Sequence, residues 1–189
     1  MNTPKITLKN VKHMPSMSQE TECFTATVYV DGKKFCTVEN GGHGGDTHSR
    51  DADYDLVHEL MVKVNPNAVR SYNDVDKDEK HEWPYADNWE TFHSMTSASV
   101  FEIKVGEALS TWLFEKDIKN DLRHRFVVIK ANSKDNDASL NLYAKKQFGS
   151  LDIEQIKTKI EIHMEHEVEI INGWDMADVK AAYELDAAA

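Results

Sequence analysis

The segment Asn40-Gly-Gly-His-Gly-Gly45 most invites a chemical reading. A glycine-rich loop that leaves a strand and opens a helix offers free backbone N–H groups to a phosphate. This loop lacks a following Lys-Ser/Thr, and its next acids, Asp46, Asp51 and Asp53, repel phosphate. It reads instead as a backbone path needing positive φ where the chain leaves a strand. His43 and His48, with the same aspartates, are transition-metal ligand types. His163 and His166 stand i, i+3 on one helical face, with Glu167 four residues beyond His163. None of these sets has a recognised ligand spacing, so no metal and no cofactor are expected. Asp74-Val-Asp76-Lys-Asp78 begins like a calcium loop, but positions six and twelve hold Glu79 and Tyr85 where Gly and Glu are needed. Cys23 and Cys36 fall in strands and no Gly-x-Ser-x-Gly elbow occurs, so both read as packing residues and no catalytic nucleophile is expected.

One polar constellation remains. If Asp31-Gly32 is a two-residue hairpin loop, Val30 faces Lys33 and paired positions sum to 63. Extending that register puts Glu20 near His43 and Cys23 opposite Asn40, so that Ser18, Gln19, Glu20, Thr21, Asn40 and His43 converge at one rim. A carboxylate beside an imidazole can act as an oriented base, which makes the rim a candidate ligand or active site. It can equally be a latch tying two loops, the commoner use of such pairs. A second set, Asp74, Asp76, Asp78 and Glu79 with Trp83 and Trp89, is the candidate partner-binding surface. Its tryptophans either pin the loop to the body or mark a contact.

The elements that must position these residues follow from periodicity. Lys5–Val11, Cys23–Val30 and Lys33–Asn40 alternate as strands of an antiparallel three-stranded meander. The register places Phe24, Ala26, Val28, Val30, Phe35 and Thr37 on the core face, with Cys36 and Val38 on the other. Asp53 caps a helix carrying Val57, Leu60, Met61 and Val64, which Asn65-Pro66 stops. Residues 66–98 have no clean period and read as a long irregular acidic loop. Ser99 to about Arg123 is the strongest helix, with Phe101, Val105, Ala108, Leu109, Trp112 and Leu113 in one stripe. Phe126–Lys130 and Ser139–Tyr143 read as a second small hairpin and Val168–Ile171 as a short strand. Helices follow over Asp152–His166 and from Asp175. The fold class is α+β, helices packing on one face of the meander, and the whole chain, 1–189, is taken as one domain.

Composition sets the outer bounds. The 189 residues carry 22 Lys+Arg against 33 Asp+Glu, a net charge of −11, which argues against direct nucleic-acid binding as the main task. The acidity lies in two blocks, 46–90 and 151–189, each net −7. They offer a surface to a basic protein partner, such as one that handles nucleic acid. No apolar run approaches a membrane span, and Met1–Asn10 lacks a signal-peptide core. Two cysteines and nine histidines suit a reducing cytoplasm.

Several of these pieces together resemble the opening of a family of small, uncharacterised phage- and prophage-encoded proteins. They are Val11-Lys12, Ser18-Gln-Glu-Thr21, Cys23-Phe24, Ala26, Tyr29, Asp31-Gly-Lys33 and Asn40 with Gly42-His-Gly-Gly45. The long helix ending near Arg123, Phe126–Lys130 and Ile171-Asn-Gly173 are similar more loosely, and residues 66–98 not at all. The resemblance implies a virus or mobile-element origin and a host-cytoplasm setting, and supplies no catalytic residues. The expectation is a non-enzymatic accessory protein acting by protein–protein contact. A small-ligand binder or enzyme using the rim of Glu20, Asn40 and His43 is the alternative.

Overall fold

Asp31 and Gly32 both adopt positive φ (48° and 80°), as a two-residue type I′ loop requires. From it run antiparallel strands β2 (Phe24–Val30) and β3 (Lys33–Asn40). The coordinates are a computed structural model and describe residues 3–64, 69–70, 95–130 and 139–188. Strand β1 (Ile6–His13) lies on the far side of β2, and a two-residue strand β4 (His48–Ser49) pairs with β3. The meander therefore has four strands, one more than expected, in the order β1-β2-β3-β4.

Two irregularities decide which side chains face inward. The β2–β3 pairing sums to 63 at Val30↔Lys33 and Tyr29↔Lys34, then shifts so that Val28 faces Cys36, Ala26 faces Val38 and Phe24 faces Asn40. Because directly paired residues share a face, Cys36, Val38 and Asn40 join Phe24, Ala26 and Val28 on the buried side. This corrects the expectation that Phe35 and Thr37 would lie there; the unshifted register would also have turned Glu39 inward, at a high desolvation cost. A second shift falls between Lys9 and Lys12, at Asn10 (φ 53°), and brings His13 opposite Phe24 on the same face as Leu8.

Helix α1 (Tyr54–Val64) opens on Asp53, whose Oδ1 accepts from the N–H groups of Asp55 and Leu56, and buries Val57, Leu60 and Met61. A short parallel pair, β5 (Val69–Arg70) with β6 (Met95–Thr96), lies inside the stretch read as an irregular loop. Helix α2 (Ser97–His124) starts two residues before the expected Ser99. Its stripe buries Phe101, Val105 and Leu109 but leaves Trp112 only half-buried.

The chain divides into two compact units, Met1–Trp112 and Leu113–Ala189, with the boundary inside α2. In the second unit, β7 (Arg125–Lys130) is the central strand of an antiparallel sheet in the order β8-β7-β9, with β8 at Asn141–Ala144 and β9 at Val168–Ile170. Successive strand residues point to opposite faces, so Val127 and Val128, both fully buried, require cover on both sides. Val127 packs with Ile118, Ile171, Val179 and Ala182; the last two lie on α4 (Met176–Ala188). Val128 packs with Ile156 and Ile160 of α3 (Ile153–Met164), and with Phe148 and Val168. Asp152 and Gln155 form a capping box at the start of α3, and Asp175 caps α4 through the N–H groups of Ala177 and Asp178. The fold is α+β. Among the described residues no helix is long and apolar enough to cross a membrane.

Candidate functional site

His13, Phe24 and Asn40 form one row across three strands at the end of the first sheet, on its buried face. Beyond that row the β1–β2 connection makes a single 3₁₀ turn at Pro15–Met17, and the glycine loop leaves β3. The six rim residues come together here. The Asn40 side chain is at the centre, its residue only 6% exposed. Its Oδ1 accepts from the Thr21 hydroxyl at 2.8 Å and from the Gly42 N–H at 2.8 Å. Its Nδ2 donates to the Gly45 carbonyl at 2.8 Å and to Thr47 Oγ1 at 3.4 Å. Ser18 Oγ donates to the Met14 carbonyl at 3.2 Å and accepts from the Cys23 N–H at 2.8 Å. The Gly42 carbonyl accepts from the N–H groups of Gln19 and Glu20, and Thr21 Oγ1 from that of Gly44 at 3.3 Å.

The glycines permit this closure. Gly42 (φ 85°) is buried so tightly that a Cβ would fall 2.4 Å from the Met17 carbonyl oxygen and 2.8 Å from Cys23 Cβ. At Gly44 (φ 81°) a Cβ would meet Glu20 Oε2 at 2.1 Å. With the N–H groups of both glycines bonded within the rim, the loop is a left-handed path sealed by its neighbours.

The expected Glu20–His43 pair is replaced by two others. His43 Nδ1 lies 3.3 Å from Gln19 Oε1, because the Gly42 carbonyl holds the backbone of both Gln19 and Glu20 and Glu20 lies against Gly44. The carboxylate–imidazole pair of this region is His13 with Glu22, Nε2 to Oε2 at 2.6 Å, which sequence reasoning missed. Its signal was the shift at Asn10, which carries β1 two residues further than expected and turns His13 inward. The His13 side chain is 8% exposed, and its Nδ1 is buried with no hydrogen-bond partner among the described residues. The hydrogen bond to His13 holds the Glu22 carboxyl below its ordinary 4.5, against a smaller opposing effect of burial.

That direction fixes a pH dependence. A carboxyl with a lowered folded-state pKa contributes stability above its unfolded value, lost as pH falls through the folded value. The thermal midpoint is expected to fall less steeply below about pH 4.5 in Glu22→Gln than in the parent. Parallel acid limbs in the two proteins would show that the pair contributes nothing.

Elsewhere the chemistry is sparse. Burial, with the charge of Asp51 adding, pushes the Cys36 thiol up to about 11, so Cys36 is a packing residue rather than a nucleophile. Among the described residues no three His, Cys, Asp or Glu side chains converge as metal ligands. His163 meets the Tyr143 ring edge-on at 6.4 Å, and His166 Nε2 is buried without a hydrogen-bond partner among the described residues. A cavity of about 370 Å³ is lined by Ile6, Val64, Lys104, Glu107, Ala108 and Thr111 among others, with Lys104 bonded to both Glu107 carboxylate oxygens. A second, of about 160 Å³, touches Asp46, Thr47, Phe101 and Glu102. Neither is lined by any of the six rim residues. Asp74, Asp76, Asp78, Glu79, Trp83 and Trp89 lie outside the described residues. No protein-family model, curated protein or solved structure matches this chain.

Proposed function

We propose that this is a phage- or prophage-encoded accessory protein with no enzymatic activity of its own, acting by protein–protein contact in the host cytoplasm, in host takeover or against a host defence. One observation carries the reading: the rim, the best candidate for a ligand site, turns its central polar groups on itself. All four hydrogen bonds of the Asn40 carboxamide go to neighbouring loop residues. A binding site keeps some of that capacity for its ligand; a latch spends it all.

The partner chemistry follows from charge. Two blocks of net −7 in a chain of net −11 suit a basic protein, such as one that binds nucleic acid, whose approach they would steer. The test is capture from infected host cells at low and at high salt. Neutralising Asp74, Asp76, Asp78 and Glu79 together should weaken capture of a basic protein at low salt without changing the fold, as added salt should. His43→Ala should leave capture intact. Capture indifferent to the four acids and to salt, with function lost in correctly folded His43→Ala or Glu20→Gln, would transfer the role to the rim.

A further inference from the structure

The sheet of the first unit has a second face, and its charge is opposite to that of the chain. Paired residues share a face. The rows Tyr29–Lys34, Lys9–Thr27 and Lys12–Thr25 therefore all point away from buried Leu8, Val28 and Val38. Lys9, Lys12 and Lys34 are exposed, and none of the three forms an ion pair with a carboxylate among the described residues. In a chain with 33 acids for 22 bases, three ammonium groups on one sheet face with no ion-paired carboxylate among the described residues mark a segregation of charge. One acid, Glu39, lies on this face opposite Thr25, in the row of Lys12, but it is paired with Arg50; Asp51 accepts from the Thr37 N–H. Lys9 Nζ sits 4.3 Å from the centroid of the Tyr29 ring, so charge and aromatic surface are presented together.

We infer that this open face binds single-stranded nucleic acid. Rows on one face of a sheet repeat about every 7 Å, a scale comparable with the step between phosphates on an extended strand. Lys9 and Lys12 stand in successive rows on β1, and Lys34 in the next row two strands away on β3, so the three flank the central strand with its Tyr29 ring. Basic side chains along a groove with an aromatic ring among them are what sequence-tolerant single-strand binding uses. Threonine hydroxyls at 25 and 27 add donors for phosphate oxygens. An acidic peptide could use the lysines but would gain little from Tyr29. The net charge of −11 counts against phosphate binding only if charges are spread evenly, and the strand register separates them. The inference is independent of the acidic-surface reading above, which concerns other residues.

The experiment is fluorescence anisotropy of the full chain with labelled oligo-dT and oligo-rU, polyglutamate serving as competitor. Both oligomers should bind at about 50 mM salt, with log affinity falling against log salt at a slope near −2, about 0.7 for each of three phosphates neutralised. Lys9→Gln/Lys12→Gln/Lys34→Gln should weaken binding at least about tenfold and flatten that slope. Tyr29→Leu should cost about five- to tenfold at unchanged slope. Lys157→Gln, on α3 of the other unit, should change neither. If the triple variant unfolds, Lys34→Gln alone should still lower the slope by about 0.7. Binding to one oligomer only would show a preference for its sugar or its base methyl group and still support the inference. No binding, binding unaffected by Lys34→Gln or Tyr29→Leu, or equal displacement by polyglutamate would overturn it.

Discussion

Gly42→Ala is expected to destabilise the first unit by about 2–5 kcal/mol. Two costs add at this position. The left-handed φ of 85° costs an L-residue about 1–2 kcal/mol. The new methyl would also enter space held by the Met17 carbonyl oxygen at 2.4 Å and Cys23 Cβ at 2.8 Å, and overpacking costs about 1–3 kcal/mol. Neither neighbour is the free end of a flexible chain, so the loop itself must move, and with it the Gly42 carbonyl that holds Gln19 and Glu20. Gly41→Ala is the control: its φ is not left-handed, and its Cβ would come no nearer than 3.8 Å to His43. Urea denaturation should show a clear loss for the first variant and almost none for the second. Equal midpoints for the two would mean that the rim is looser than its geometry implies.

The second large effect is expected at Asn172, where Asn172→Ala should cost about 2–4 kcal/mol. Its Oδ1 accepts from the N–H of Val127 at 2.8 Å, while its Nδ2 donates to the carbonyls of Leu122 at 3.1 Å and Arg125 at 2.7 Å. One amide thus joins the last turn of α2 to the start of β7. Truncation leaves the Val127 donor and the Arg125 acceptor without this partner, while the Leu122 carbonyl keeps the Lys145 ammonium at 2.8 Å, and groups left unpaired cost about 1–3 kcal/mol each before relaxation. Asn172→Asp keeps the acceptor but sets a carboxylate against two carbonyls, so it should be as damaging as alanine. Amide exchange at Val127 faster in the alanine variant than in the aspartate variant, which keeps the acceptor, would identify the mechanism. An aspartate variant as stable as the parent would remove the donor half of the argument.

How far such features were legible differs from one to the next. The hairpin was readable because Asp-Gly between alternating runs has one good solution, and its first two pairs follow the expected sum. Its continuation was not, because Lys33–Asn40 alternates acceptably in either phase: Phe35 and Thr37, or Cys36 and Val38. The charge of Glu39 breaks that tie, since the wrong phase buries it, and weighting that cost would have found the shift at Val28. The convergence of Ser18, Thr21, Asn40 and His43 survived the error because it depends on which end of the sheet they occupy, not on phase. The His13–Glu22 pair did depend on phase, through Asn10, and went unseen. Helices α3 and α4 announced themselves through Asp152 and Asp175, caps that act locally. Asn172 could be seen only as part of a familiar-looking tripeptide, because its three partners lie far away in sequence.

The strand order of the second unit has a consequence in time. In the first sheet each strand pairs with its neighbour in sequence, so its ladders can zip from the Asp31-Gly32 turn outwards. Strand β7 must instead recruit β9 from beyond β8 and α3. Non-local pairing of this kind bears its loop-closure entropy before any contact rewards it, and it slows folding. Until β9 docks, one edge of β7 is unpaired and part of the surface around Val128 is uncovered, the kind of exposed edge that favours association with other chains.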